Sequence, residues 1–283
     1  MHVLAHPQCP FPLYRLRRAP LASIRAGFGG MRAMSSAAQA STDNFKVDVN
    51  ADGIAVVTMD FKGMKVNALA RNVVEELPGL VDSLEADASV RAIVFVSAKK
   101  DFIVGADINM FKELAAAGRD GVKAMVTSSH PVFDKLASGK PKIAAINGSC
   151  LGGGAEFALA CHYRIAATQA SMGFPEVMLG LLPGFGGTQR LPALVGMQNA
   201  MPMLMTGSNK KGAQAKKMSL VDQTCDQKQL MQCAMVVAKQ IADGDLKIPK
   251  RGNFKGMYGM VENAIKEYGF VRDYVFDQAK QQV

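Results

Sequence analysis

Two acids and two groups of small residues stand out as types and spacings that could do chemistry. In "NGSCLGGGAEFALACHYRIAAT" (147–168), Gly152, Gly153 and Gly154 lead into an apolar segment with Glu156 in its first turn. In "GFPEVMLG" (173–180), Glu176 follows Pro175 in an otherwise apolar stretch, and "VGADI" (104–108) sets Gly105 and Ala106 just ahead of another helical pattern. A helix N-terminus leaves its first N–H groups unpaired and carries partial positive charge. Glycine there lets a ligand oxygen come close to the backbone. Two such N–H groups on one oxygen would form an oxyanion hole, where one donor is worth on the order of 10²–10³ in rate. Spacing alone better describes a glycine-rich turn used for packing. Each acid also reads two ways. It is a helix-start carboxylate favoured by the dipole, or one of two carboxyls whose surroundings divide acid and base roles between them. The flanking Phe157, Phe174, Val177 and Met178 make an unpaired charge costly in either place.

Other chemistries lose their footing. No Gly-x-Gly-x-x-Gly follows a strand, no Gly-Lys-Ser/Thr phosphate loop is present, and "GSCLG" (148–152) is not a nucleophile elbow. The five cysteines (Cys9, Cys150, Cys161, Cys225 and Cys233) lack C-x-x-C spacing and fit a reducing compartment better than a disulfide framework. Cys161 and His162 are adjacent, but a metal site needs three or four convergent ligands. Both read as core packing and its edge, so no metal is expected.

The elements that must position these residues alternate. "FKVDVN" (45–50) and "IAVVTMD" (54–60) flank Asp52-Gly53 and predict a β-hairpin. A helix is predicted from about Ala70 to Leu84, bent or broken at Pro78. The continuous apolar runs "RAIVFVSA" (91–98), "KIAAING" (142–148) and "YRIAAT" (163–168) predict buried strands, and "LVDQTCD" (220–226) a last one. Helices are predicted at 105–118 and 121–137, and nearly throughout the tail from 228, the first tail helix reaching about Asp243. This alternation is that of an α/β protein.

With 283 residues and 49% apolar content, the chain can bury a sizeable core. No apolar run approaches the roughly 18 residues of a membrane-spanning helix. The net charge of +9 is unevenly placed: residues 1–42 hold Arg15, Arg17, Arg18, Arg25 and Arg32 and no acid. That basic, serine-containing composition predicts a mitochondrial presequence, with "RAMSSAAQ" (32–39) as processing site, although a disordered basic arm has the same composition. The remainder is only mildly basic, and no nucleic-acid partner is expected.

"GADINMF" (105–111), "AAINGSCLGGGAEFALACHYRIA" (144–166), "PEVMLGLLPGFGGTQRLP" (175–192) and "AKKMSLVDQ" (215–223) together resemble the enoyl-CoA hydratase/isomerase (crotonase) superfamily, from about Phe45 onward. "KVNAL" (65–69), "NGSCLGGG" (147–154) and the tail "FVRDYVFDQAKQQV" (270–283) are most similar to the hydratase region of mitochondrial trifunctional α-subunits. Those subunits continue into a dehydrogenase region, so the resemblance implies a hydratase domain alone, or a truncated or split version. It implies a crotonase-type spiral of ββα units over residues 43–225, with a C-terminal helical region at 226–283 for oligomerisation or as a linker.

The resemblance also implies roles. The N–H groups of Ala106 and Gly153 would hold the thioester oxygen of an acyl-CoA. Glu176 would protonate C2, Glu156 would activate water, and Gly184 would help hold that water. Lys65, Val104 and Ala106 would contact coenzyme A, whereas Lys99 and Lys100 read as solvated surface lysines. No cofactor is implied beyond the coenzyme A thioester itself. A trimer or hexamer, or pairing with a thiolase-type subunit, would be the assembly, and mitochondrial fatty-acid β-oxidation the setting. With both acids present a hydratase leads; a Δ3,Δ2-enoyl-CoA isomerase, which needs only the second acid, and a non-catalytic scaffold stay open.

Overall fold

Period-two apolar patterning and an Asn-led turn open the computed structural model, which describes residues 41–249. Strands β1 (Phe45–Val49) and β2 (Ile54–Met59) pair antiparallel, Phe45 opposite Met59. Between them the Asn50 side chain accepts the N–H groups of Asp52 and Ile54, which closes the turn. Helix α1 (Arg71–Ala86) follows, then β3 (Ala92–Ser97), α2 (Ile108–Leu136), β4 (Lys142–Ile146) and β5 (Ser149–Leu151). Next come α3 (Gly153–Ala160), β6 (Tyr163–Ala167), β7 (Ser171–Gly173) and a 3-10 helix at Pro175–Leu179. Helices α4 (Gly187–Val195) and α5 (Met197–Thr206), strand β8 (Lys210–Lys211), α6 (Gly212–Lys217), β9 (Gln223–Cys225) and α7 (Leu230–Asp243) complete the order. The expected presequence and the helices expected beyond residue 249 lie outside the described residues.

One sheet runs β1-β2-β3-β4-β6-β9, parallel from β2 onward, and a smaller one runs β5-β7-β8. Each of the successive units β4-β5-α3 and β6-β7-3-10 helix gives one strand to each sheet before turning helical, so the chain winds as a ββα spiral. The buried strands alternate between two cores. Ile93, Phe95, Ala144 and Ile146 face the α1 and α3 side, whereas Ala92, Val94, Ile143 and Ala145 face α7. That two-sided burial is why these strands read as unbroken apolar runs.

Two predicted details come out differently. Helix α1 runs on through Pro78, because Val73, Leu77, Leu80, Val81 and Leu84 are all buried on one face and hold it against the core. By contrast, the two helices expected at 105–118 and 121–137 are both present within α2, which divides at Gly118, whose φ of 65° and ψ of −165° break the helical path. The last strand is only Gln223–Cys225. Ser219 takes a φ of 63° and the N–H groups of Leu220 and Val221 turn back to the Ala215 carbonyl, so those two residues enter the core as a turn.

Arg164, wholly buried in β6, ties that turn down. Its Nη2 lies 2.5 Å from Asp222 Oδ2, its Nε donates to the Leu220 carbonyl and its Nη1 to that of Cys161, at the end of α3. Removing one member of a buried ion pair leaves the other charge without compensation. Asp222→Ala is therefore expected to lose about 3–5 kcal/mol in urea unfolding, whereas Asp222→Asn, which still accepts hydrogen bonds, should lose clearly less.

Candidate active site

The stretch 104–107 is set by backbone pairing. Leu69 donates to the Gly105 carbonyl at 2.8 Å and Asp107 to that of Leu69 at 3.0 Å, so the ladder leaves the Ala106 N–H facing away from it. Behind it stands Asn67, fully buried. Its side-chain oxygen accepts from the Phe61 N–H, its amide donates to Met59 O, Ser97 Oγ and Phe102 O, and its carbonyl accepts from the Val104 N–H. One short polar side chain thus joins the ends of β2 and β3 to this loop. Composition gave no signal for it, since its side-chain partners are up to 35 residues away.

The three glycines now separate by role. Gly152 has a φ of 52°, and a Cβ there would stand 2.9 Å from Glu176 Oε1 and 3.6 Å from the Gly105 Cα. Two backbone loops and one acid therefore meet at this residue. A Cβ on Gly154 would fall 2.1 Å from the Ile103 carbonyl oxygen, which leaves no room for any side chain. Gly153 begins α3, so its N–H has no acceptor within the helix. Every residue from Gly153 to Ala160 is buried.

Glu156 lies in the first turn of α3 and is 1% exposed. Its Oε1 accepts the N–H groups of Phe185 and Gly187, each at 2.7 Å. Burial nevertheless wins over these bonds: desolvation, with Glu176 nearby as a further influence in the same direction, pushes the carboxyl up from 4.5 to about 7. Glu176 sits in the first turn of the 3-10 helix and is half-buried. Its Oε2 is buried and has no hydrogen-bond partner among the described residues, and burial raises its carboxyl pKa as well. A buried carboxyl oxygen without a donor favours the protonated form.

Of the apolar residues expected around the acids, Phe157 and Phe174 are buried as predicted, but Met178 is 71% exposed. It belongs to a run of exposed apolar residues, Met178, Leu179, Leu181 and Leu182, between Glu176 and the Glu156 clamp. Gly184 lies one residue before that clamp, its carbonyl 3.0 Å from His130 Nε2 of α2. Lys65 is exposed, and the Val104 N–H is already engaged with Asn67. Lys99 is not the solvated lysine expected. Its Nζ donates to the carbonyls of Phe61 and Met64, which braces the loop carrying Lys65. Neither the brace, the Phe185 and Gly187 donors nor Arg190 behind them was singled out in the sequence. The glycines in "PGFGGTQ" were the only hint of a turn wrapped around an anion.

Comparison with known proteins gives the family. The model of the enoyl-CoA hydratase/isomerase family matches residues 50–250. The fatty acid oxidation complex subunit alpha of Shewanella sp. (strain MR-4) is 41% identical over 243 residues, covering 84% of this chain and 33% of that protein. The protein of the same name from Idiomarina loihiensis is 38% identical over 242 residues. The chain thus spans about a third of the length of these curated relatives. Among solved structures, enoyl-CoA hydratase from Bacillus anthracis superposes with a TM-score of 0.65 at 29% identity, covering 85% of this chain and 91% of that one. DspI from Pseudomonas aeruginosa gives 0.66 at 34% identity, covering 71% of this chain and 75% of that one.

These relatives overturn the mitochondrial address. They come from bacteria, which have no such organelle, and the basic, acid-free composition of residues 1–42 is one that any arginine-bearing arm shares.

The raised carboxyl of Glu156 has a cost that can be read at equilibrium. Because its folded value, about 7, lies above 4.5, its contribution favours the folded state most below pH 4.5 and is lost as pH rises through about 7. Glu156→Gln removes this titration while its amide oxygen can still accept both N–H groups. The variant should differ little from wild type near pH 5 and exceed its stability by about 3 kcal/mol above about pH 8. Denaturant midpoints measured across that range would check it, and a pH-independent difference would count against a carboxyl that titrates in the folded protein.

Proposed function

The chain belongs to the enoyl-CoA hydratase/isomerase family, and from that premise we propose that it adds water reversibly across the C2–C3 double bond of a trans-2-enoyl-CoA, giving the 3-hydroxyacyl-CoA of fatty-acid oxidation. The observation that carries this reading is the pairing of two unlike carboxyls beside the start of α3. Glu156 is buried but clamped by two N–H groups, and Glu176 has an oxygen without a donor.

The thioester oxygen lies against the N–H groups of Ala106 and Gly153. Ionised Glu156 takes a proton from water as the water oxygen bonds to C3. The π electrons move toward C1, the thioester oxygen gains negative charge, and the two N–H groups hold that charge more strongly than they hold the ground-state carbonyl. Collapse of the enolate takes a proton from Glu176 onto C2. Glu156 ends protonated and Glu176 ionised, and one proton passed back restores both. Gly184, beside the clamp, is placed to help seat the water. A carboxyl near 7 suits a group that must both take and give a proton at neutral pH. The step is redox-neutral and each proton has a carboxyl at hand, so this reading asks for no cofactor. Exposed Lys65 suits the coenzyme A phosphates as a point charge. Assembly belongs to the same reading. The exposed Met178–Leu182 run offers apolar surface beside the site, and the bacterial relatives are named as subunits of a complex, which supports a trimer or hexamer or a thiolase-type partner.

The test is loss of the conjugated thioester absorbance with 2-enoyl-CoA substrates. Wild type should hydrate them, and Glu176→Gln should fall by about 10²–10⁴ with unchanged circular dichroism. Glu156→Gln should fall comparably. If it keeps full turnover of a 3-enoyl-CoA while losing hydration, the main activity is isomerisation. A folded wild type inactive toward every enoyl-CoA would leave the scaffold role.

A further inference from the structure

The turn that clamps Glu156 is itself gripped from behind, peptide by peptide. The 184–185 peptide gives its N–H to Glu156, and its carbonyl lies 3.0 Å from His130 Nε2. The 186–187 peptide also gives its N–H to Glu156, and its carbonyl accepts the N–H groups of Gln189 and Arg190 in the first turn of α4. The middle peptide, 185–186, points the opposite way. Its carbonyl accepts Arg190 Nη1 at 2.8 Å, and Arg190 Nη2 is paired with Asp134 Oδ1 at 2.6 Å. A Cβ on Gly186 would lie 2.1 Å from Nη1, so the guanidinium occupies space that only glycine leaves open. Phe133, between His130 and Asp134 on the same stretch of α2, stacks on Phe185 with ring centres 5.0 Å apart. The Arg190–Asp134 pair contributes little stability by itself, since Asp134 is 72% exposed and solvent screens it. Its value is geometric.

Resting on the hydratase reading above, we propose that Arg190, anchored by Asp134, is a positioning residue: it fixes the middle peptide of the clamp and keeps Glu156 available as a base near neutral pH. Glu176, on the 3-10 helix, acts on Glu156 in the opposite sense, whereas Arg190, on α4, favours its ionised form. His130 and Asp134 stand one step behind, on α2. A residue that merely stiffened the start of α4 would affect activity equally at every pH. A residue that governs Glu156 must move the pH at which activity appears.

The experiment pairs the pH profile of hydration with ¹³C NMR titration of the Glu156 carboxyl, assigned by its absence in Glu156→Gln. In Arg190→Gln the carboxyl should titrate about one pH unit above wild type. Hydration should then fall about fivefold at pH 7 and recover toward pH 9. Arg190→Lys, which keeps the charge but not the paired donors, should restore the titration while leaving turnover reduced. Equal loss at every pH with an unmoved carboxyl would overturn the proposal. Should Arg190→Gln not fold, Asp134→Asn, at an exposed position, should move the carboxyl in the same direction by less, and an unmoved carboxyl there is equally decisive against it. A wild type that hydrates no enoyl thioester would remove the hydratase reading, yet the NMR titration would still decide whether Arg190 controls Glu156.

Discussion

The site depends on one constraint: a carboxyl with almost no water around it must be able to hold a charge part of the time. Two amide donors at 2.7 Å are enough to make the ionised form of Glu156 reachable and too few to make it dominant. Those donors come from residues 29 and 31 positions further along the chain. The fold must therefore bring the start of α4 onto the start of α3, and β6, β7 and the 3-10 helix are the path between them. The same path delivers Glu176 to Gly152 on the way.

The two donors proposed to hold the thioester oxygen obey a different rule from the acids. Ala106 and Gly153 belong to backbone segments pinned by main-chain bonds and by absent side chains, not by rotamers. The Leu69 ladder turns the Ala106 N–H outward, and the missing Cβ atoms at Gly152 and Gly154 let loops 103–105 and 151–154 touch backbone to backbone. Side-chain freedom is thereby excluded from the part of the site that needs a fixed dipole. It is kept for the two carboxyls proposed to exchange protons.

This division explains what could be read from the amino-acid order. Continuous apolar runs located β3, β4 and β6 within a residue or two, because burial on both faces leaves a pattern local to the strand. Glu156, Glu176 and the glycines were visible because their types are unusual in apolar surroundings. Asn67, Arg164 and Arg190 were not, since each is held by a partner that only the fold brings near: Ser97, Asp222 and Asp134. Lys99 was misjudged for the same reason: its carbonyl partners lie 35 and 38 residues away. Pro78 misled in the opposite direction, its local penalty being outweighed by five buried neighbours on one face of α1. The organellar address failed differently, for composition records charge and size but not destination.

The two carboxyls differ most in how their oxygens are served, and that difference supports the roles proposed for them. Both are raised by burial. Glu156 has donors waiting for its charge, so losing a proton does not leave its Oε1 unsatisfied. Glu176 has an Oε2 with none among the described residues, so its neutral form is the one its surroundings tolerate until a substrate accepts the proton. Glu156, although pushed up to about 7, has two donors ready for its ionised form, and this suits it to begin as the base, with Glu176 as the acid. In this protein the surroundings are the 185–187 turn and the 3-10 helix, which is why the chemistry resides as much in those backbone segments as in the acids they hold.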